Sequence, residues 1–200
     1  MTFLRRICVY CGSNAGAAPG YRAAAEGLGT LLATQGVGLV FGGGRVGLRG
    51  AIADAALRAG GEVIGVIPRA LGEKELGHTG CTELRVVGSM HERKQLMADL
   101  ADGFIALPGG IGTLEELFET FTWLQLGFHT KPVGLLNVAG FFDHLLAFLQ
   151  NVTTEKFLLP EHLDCLLVES TPQPLLARMS AFHPPQLGKW LPAPLVPDER

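Results

Sequence analysis

The chain alternates short, uninterrupted apolar runs with longer stretches of helical periodicity, and few folds accept that pattern. The runs fall at 7–11, 37–41, 62–67, 84–87, 103–107 and 132–136, with a weaker one at 164–168; the helical stretches span about 19–34, 48–59, 90–100, 113–126 and 141–150. Most runs lack the alternating polar residues of a sheet with one wet face. They read as strands covered on both sides, the habit of parallel sheets. Gly36 closes the first long helix, Gly60-Gly61 the second, and Lys131-Pro132 opens a late strand.

Such strand–helix repetition predicts an α/β protein, a three-layer Rossmann-like fold with a mostly parallel sheet. The 200 residues suffice for one ordinary domain, placed at 1–170, with no internal repeat. From Thr171 onward the chain holds seven of its 12 prolines and no convincing periodic segment. Residues 171–200 are therefore expected to form a proline-rich tail that wraps the surface or is partly disordered, with Trp190 its one residue of interest.

A net charge of -3 gives no general attraction for nucleic acid or an anionic membrane, and no apolar run reaches the roughly 18 residues of a membrane span. Met1 to Arg6 leads straight into the first strand, leaving too short an apolar stretch for a signal peptide. A cytoplasmic protein is expected. Of the cysteines, Cys8 and Cys11 have CxxC spacing but lie in and at the end of a strand, and Cys81 and Cys165 form no second close pair. Buried free thiols are the expectation, not a zinc or redox site. The six histidines are scattered without H-E-x-x-H spacing, so no metal centre is expected.

Ligands of open parallel sheets bind beyond the carboxyl ends of the strands, and the glycine-rich segments lie there. Cys11-Gly12-Ser13-Asn14 follows the first strand, Gly42-Gly43-Gly44 the second, and Pro108-Gly109-Gly110 a later one. Gly42, Gly44 and Gly47 match G-x-G-x-x-G spacing, but after the second strand, which argues against a dinucleotide site. No Walker A lysine-plus-hydroxyl ending is present, and no G-x-S-x-G elbow. Tight turns alone would explain some of these glycines. Two such turns opening onto helices point further, to backbone N–H groups that hold a phosphate, with Thr113 adding a hydroxyl.

Near that turn lie the charged residues. Arg93 and Lys94 sit in a helix beginning at Met90-His91-Glu92, about 100° apart and so suited to different jobs. Glu115 and Glu116 fall in the first turn of the helix placed at 113–126, whose core face is Leu114, Leu117, Phe118, Phe121 and Leu124. Either glutamate would serve as a dipole partner or cap. Glu116 is also one turn beyond Gly112, within reach of a sugar whose phosphate is held at the turn. There a carboxylate can stabilise an oxocarbenium-like centre or orient water.

Met90-His91-Glu92-Arg93-Lys94 together with Pro108 to Glu116 resembles the LONELY GUY family of cytokinin riboside 5'-monophosphate phosphoribohydrolases, older members of which were labelled lysine decarboxylase-like. The likeness covers about residues 5–150 and includes Val9-Tyr10-Cys11-Gly12-Ser13, Gly65-Val66-Ile67-Pro68, Thr122 to Gly127 and Lys131-Pro132. It implies a nucleotide-binding hydrolase domain that cleaves the N-glycosidic bond of N6-modified adenosine 5'-monophosphates, and AMP, to free base and ribose 5-phosphate. By motif position it implies Arg93 and Glu116 as catalytic pair. Glu75, Lys94, Gly110, Ile111, Gly112, Thr113, Leu114, Glu115 and Thr122 join them in binding, with Gly12, Ser13, Gly43 and Gly44 as further phosphate or ribose contacts. No cofactor is implied, and the expected assembly is a homodimer or larger, with sites near the interface. The family usually reads Gly-Leu-Met-Gly where this chain has Gly47-Leu48-Arg49-Gly50, and Ser-Ser where it has Ser13-Asn14. Arg49 is left between a phosphate contact, solvent and a partner subunit. Two other readings stay open: a non-catalytic AMP-type carrier or sensor, and a pyridoxal phosphate decarboxylase, for which no lysine has a persuasive setting.

Overall fold

The computed structural model describes residues 4–75 and 77–184; the side chain of Glu75 and all of Trp190 lie outside the described residues. Seven strands form one sheet in the order β4-β3-β2-β1-β5-β6-β7. They are β1 (Arg6–Tyr10), β2 (Gly38–Phe41), β3 (Val63–Pro68), β4 (Glu83–Val87), β5 (Gly103–Ala106), β6 (Val133–Leu136) and β7 (Leu166–Glu169). All six pairings are parallel; Val9, for example, faces Phe41 on one side and Ile105 on the other. The apolar runs explain the layering. Every residue of β2, β3, β5 and β6 is buried, whereas the edge strand β4 shows Glu83 and Val86 to solvent.

The helices are α1 (Pro19–Thr34), α2 (Gly47–Arg58), α3 (Arg69–Glu75), α4 (Met90–Leu100), α5 (Ile111–Gln125), α6 (Asp143–Thr154), α7 (Pro160–Leu163) and α8 (Pro172–Ser180). From β1 to β4 the chain steps outward one strand at a time, then returns through α4 to β5 on the other side of β1. Right-handed crossovers put helices of opposite step on opposite faces. Accordingly α1 packs on α2, while α4 and α5 pack on the central strands. The strand order reverses between β1 and β5, where a crevice opens at the carboxyl edge.

Two local expectations change. Helix α5 starts at Ile111, not at 113, because Gly110 serves as its N-cap without a side chain. Glu115 and Glu116 therefore lie in the second turn, too far in for a capping role. Residues 172–180 form a helix, α8, where no periodic segment was expected. Pro172 and Pro174 occupy the first turn of α8, where a missing N–H costs nothing. Leu175, Leu176 and Met179 of that helix are fully or almost fully buried, against the space left by Gly134 and Gly103. Among the described residues, no helix is long and apolar enough to cross a membrane.

Candidate active site

The loops after β1 and β5 meet where the strand order reverses: Gly12 N–H donates to Pro108 O at 3.1 Å. The start of α2 joins them. Leu48 N–H donates to Gly12 O at 3.0 Å, and Gly47, at φ +70°, lies so close to the Ser13 backbone that a side chain there would collide with it. These three segments wall a cavity of about 290 Å³, completed by Leu71 of α3, Arg93 of α4 and Glu116 of α5.

Helix α5 begins with no side-chain cap and no acidic residue in its first turn. Its first N–H groups have no intrahelical acceptor and carry the positive end of the helix dipole, as an anion site requires. Gly110, Ile111, Gly112 and Thr113 all line the cavity. The Thr113 side chain is buried against Gly109, where a Cβ would strike its hydroxyl.

Arg93 is held by α4, which Ser89 and Glu92 cap: Ser89 Oγ accepts from Glu92 N–H at 3.1 Å, and Glu92 Oε2 accepts from Gly88 N–H at 2.7 Å. Arg93 is 5% exposed. Its Nε donates to Val66 O at 3.0 Å, its Nη2 to Gly42 O at 3.2 Å, and its Nη1 lies 3.2 Å from Glu116 Oε1. A Cβ at Gly42 would overlap Arg93 Nη2, so a side chain there would displace the guanidinium. Burial pushes the Glu116 carboxyl above the usual carboxylate range, against the opposing charges of Arg93 and Arg49. The result is a fixed carboxylate at a wet cavity wall, with its proton affinity raised.

Lys94 turns the other way. Its Nζ pairs with Glu115 and, at 2.9 Å, with Glu119. Burial depresses its pKa, but the bonds to the two carboxylates outweigh that and hold it above the ordinary lysine value. Lys94, Leu114, Glu115 and Thr122 do not line the cavity; Leu114 packs on the core, and Thr122 is exposed on α5. Ser13 lines both this cavity and an adjoining one of about 220 Å³, where Gly12 meets Tyr21 and Phe141. Gly43 O accepts a hydrogen bond from His78 N–H at 2.8 Å, and Gly44 pairs with Gly77. Glu75 is the last residue of α3.

Sequence reasoning missed Tyr10, Leu71, Tyr21 and Phe141 as wall residues. Only the fold brings them together, although Tyr10, at the end of β1, had a positional signal. Cys11 also lines the cavity, and burial pushes its thiol up to about 12, so it is neutral and unreactive. No lysine is among the described wall residues.

Fold and site together define a parallel α/β protein with an uncapped helix start beside a buried arginine–carboxylate pair. Residues 49–179 match the family model described as "Possible lysine decarboxylase". The chain is 47% identical to the cytokinin riboside 5'-monophosphate phosphoribohydrolase LOG of Oryza sativa subsp. japonica, over 90% of this chain and 74% of that protein. It is 45% identical to LOG3 of Arabidopsis thaliana, over 90% and 84%. The chain belongs to this phosphoribohydrolase family. The fold is also that of the molybdenum cofactor binding protein from Rippkaea orientalis, with a TM-score of 0.67 at 24% identity over 90% of this chain and 98% of that one.

Proposed function

We propose that the protein hydrolyses the N-glycosidic bond of N6-modified adenosine 5'-monophosphates, and of AMP, to free base and ribose 5-phosphate. One observation carries this reading: Glu116, fixed by a buried arginine, opens on the same cavity as an uncapped helix start one turn away. The N–H groups of Ile111, Gly112 and Thr113 hold the 5'-phosphate, with the loops after β1 and β2 closing around phosphate and ribose. That anchor places C1' beside Glu116. As the bond to the base stretches, positive character grows at C1' and the ring oxygen, and the carboxylate stabilises it. Its raised proton affinity suits it to take a proton from water as the hydroxyl adds to C1'. The base leaves and takes a proton from solvent on its freed nitrogen, while Glu116 returns the water proton to solvent. Arg93 supplies orientation, because its donors fix Glu116 against Gly42 and Val66.

The active form proposed is a homodimer: Ile111, at the mouth of the site, is 82% exposed, and Phe128 is 75% exposed beyond the end of α5. Light scattering checks that assembly. For the reaction, chromatography of products across a panel of nucleotides and nucleosides is decisive. Base release from monophosphates should far exceed release from nucleosides. Equal turnover of both would remove the phosphate anchor, and calorimetric AMP binding with no base release would make the protein a carrier or sensor.

A further inference from the structure

The two ends of the cavity differ in chemistry, because different strands supply them. One end is the uncapped start of α5, which follows β5. The other is Leu71, in the first turn of α3, which follows β3. The sheet order places β1 and β2 between them, so the wall spans three strand spacings, roughly 14 Å. Arg93 marks the middle. Its guanidinium reaches from Val66 O in β3 and Gly42 O after β2 to Glu116 Oε1 on α5. A ligand laid along this wall meets the helix start, then the Arg93–Glu116 pair, then Leu71. An extended nucleoside monophosphate has its parts in the same order over a similar length: phosphate, C1', base, and any group carried on the exocyclic N6.

Leu71 also differs from the other apolar residues of the wall. Val9, Tyr10 and Cys11 are buried members of the core, and Ile111 belongs to the helix start itself. Leu71 is half-buried and lines the cavity, but it is not among the described core residues or the side chains packed on them. The remaining described wall residues are glycine, polar or charged. A leucine placed this way loses contact with water only when an apolar group of a ligand covers it, and that gain goes to ligands that carry such a group.

We propose that Leu71 is a specificity-determining residue of this site, packing on an apolar substituent at N6 of the base and so favouring N6-alkylated adenosine 5'-monophosphates over AMP. The inference rests on the nucleotide reading under Proposed function and adds which residue reads the substituent. The polar end then sets the position of the substrate, and the apolar end sets the choice among bases.

The test uses the full chain with Leu71→Ala, Leu71→Gln and Leu71→Met. The readout is kcat/KM for N6-isopentenyladenosine 5'-monophosphate divided by kcat/KM for AMP. The wild-type ratio should exceed one. Removing the contact in Leu71→Ala or Leu71→Gln should lower it by about 10- to 100-fold, the usual worth of a few methylene groups in an apolar pocket. Leu71→Met keeps volume and apolar character and should stay within about threefold of the wild-type ratio. Leu71→Gln, close to leucine in size, decides the matter should Leu71→Ala fold poorly. A merely structural leucine would lower both substrates together and leave the ratio unchanged. An unchanged ratio, a wild-type ratio of one, or an equal fall in Leu71→Met would overturn the proposal. If the wild-type protein releases no base from any nucleotide, the hydrolase reading fails alone, and calorimetric affinity for the same two nucleotides takes the place of kcat/KM. A wild-type preference for the isopentenyl nucleotide that is lost in Leu71→Gln then supports the proposal, and equal or undetectable wild-type binding of the two overturns it.

Discussion

Two ion pairs join α4 to α5, and they are neighbours in sequence on both helices. Arg93 meets Glu116, whose side chains are 6% and 12% exposed; Lys94, 12% exposed, meets Glu115 and Glu119, whose side chains are 49% and 24% exposed. One step along each helix, about 100° of rotation, separates the two settings. In the first, charge is taken out of water and fixed by backbone carbonyls beside a cavity. In the second, the Lys94 side chain is only 12% exposed, but its partners Glu115 and Glu119 keep contact with water. The same residue classes therefore do different things. A buried pair is costly to form and costly to break, so its presence at a cavity calls for a functional reason, whereas an exposed pair contributes little and asks for none.

The largest expected effect falls on the buried side. Glu116→Gln keeps the shape but removes the charge proposed to face C1', and turnover of the monophosphate should fall about 10²- to 10³-fold, the usual cost of one transition-state contact. The loss should be in kcat more than in KM, since the phosphate anchor is intact. Steady-state kinetics on the folded variant check this, and turnover within a few-fold of wild type would reject the assignment.

Gly42→Ala tests whether the geometry of the pair, not only its charge, matters. The new methyl would occupy the place of Arg93 Nη2 and push the guanidinium off Glu116 and off the Gly42 carbonyl. A displacement of about 1 Å in a positioning group can cost roughly 10²-fold, so a loss of about 10- to 100-fold is expected without change at either charged residue. Retained activity would mean that Arg93 is a structural tie and that Glu116 needs no orienting partner.

The contrast between these pairs was partly legible in the sequence. The strands were read within a residue or two because burial on both faces shows directly as apolar runs. The 100° rule separated Arg93 from Lys94, and the glycine turn before Glu116 pointed to the uncapped start of α5. What escaped was set by tertiary contact. Nothing local distinguishes Glu115 from Glu116 by burial, and Arg49 reaches the wall only because the loops after β1 and β2 interlock at Gly47 and Ser13. Helix α8 was hidden by its prolines, although Leu175, Leu176 and Met179 carry the i, i+1, i+4 spacing of one helical face. Each of these buried side chains contributes about 1.5–3 kcal/mol by leaving water.

The pH dependence gives a third comparison. Burial raises the Glu116 pKa, so protonation on acidification begins above the ordinary carboxylate range of about 4.3. Because the ionised form is the one that stabilises C1' and accepts a proton, kcat/KM should be full above the raised pKa and fall about tenfold per pH unit below it. The acid limb should therefore lie higher than that of an exposed glutamate, and Arg49→Gln should move it higher still, since the Arg49 charge opposes the rise. A limb at or below the ordinary range would mean that Glu116 is not the titrating group.

The smallest effect belongs to the exposed pair. Glu115→Gln removes one of two carboxylates that hold Lys94, and Glu119 remains 2.9 Å from the ammonium. With Glu115 half in water, solvent and salt screen most of the lost attraction, and the stability change should be within about 1 kcal/mol. Neither side chain lines the cavity, so kcat/KM should change by less than about threefold, equivalent to less than about 0.7 kcal/mol. Thermal melts and kinetics on Glu115→Gln beside Glu116→Gln give a direct measure of what burial adds to one and not to the other. If Glu115→Gln instead lost activity on the scale of its neighbour, the outer face of α5 would belong to a site as well. A second subunit laid across that face would be the means, and the loss should then disappear under conditions where the protein is monomeric.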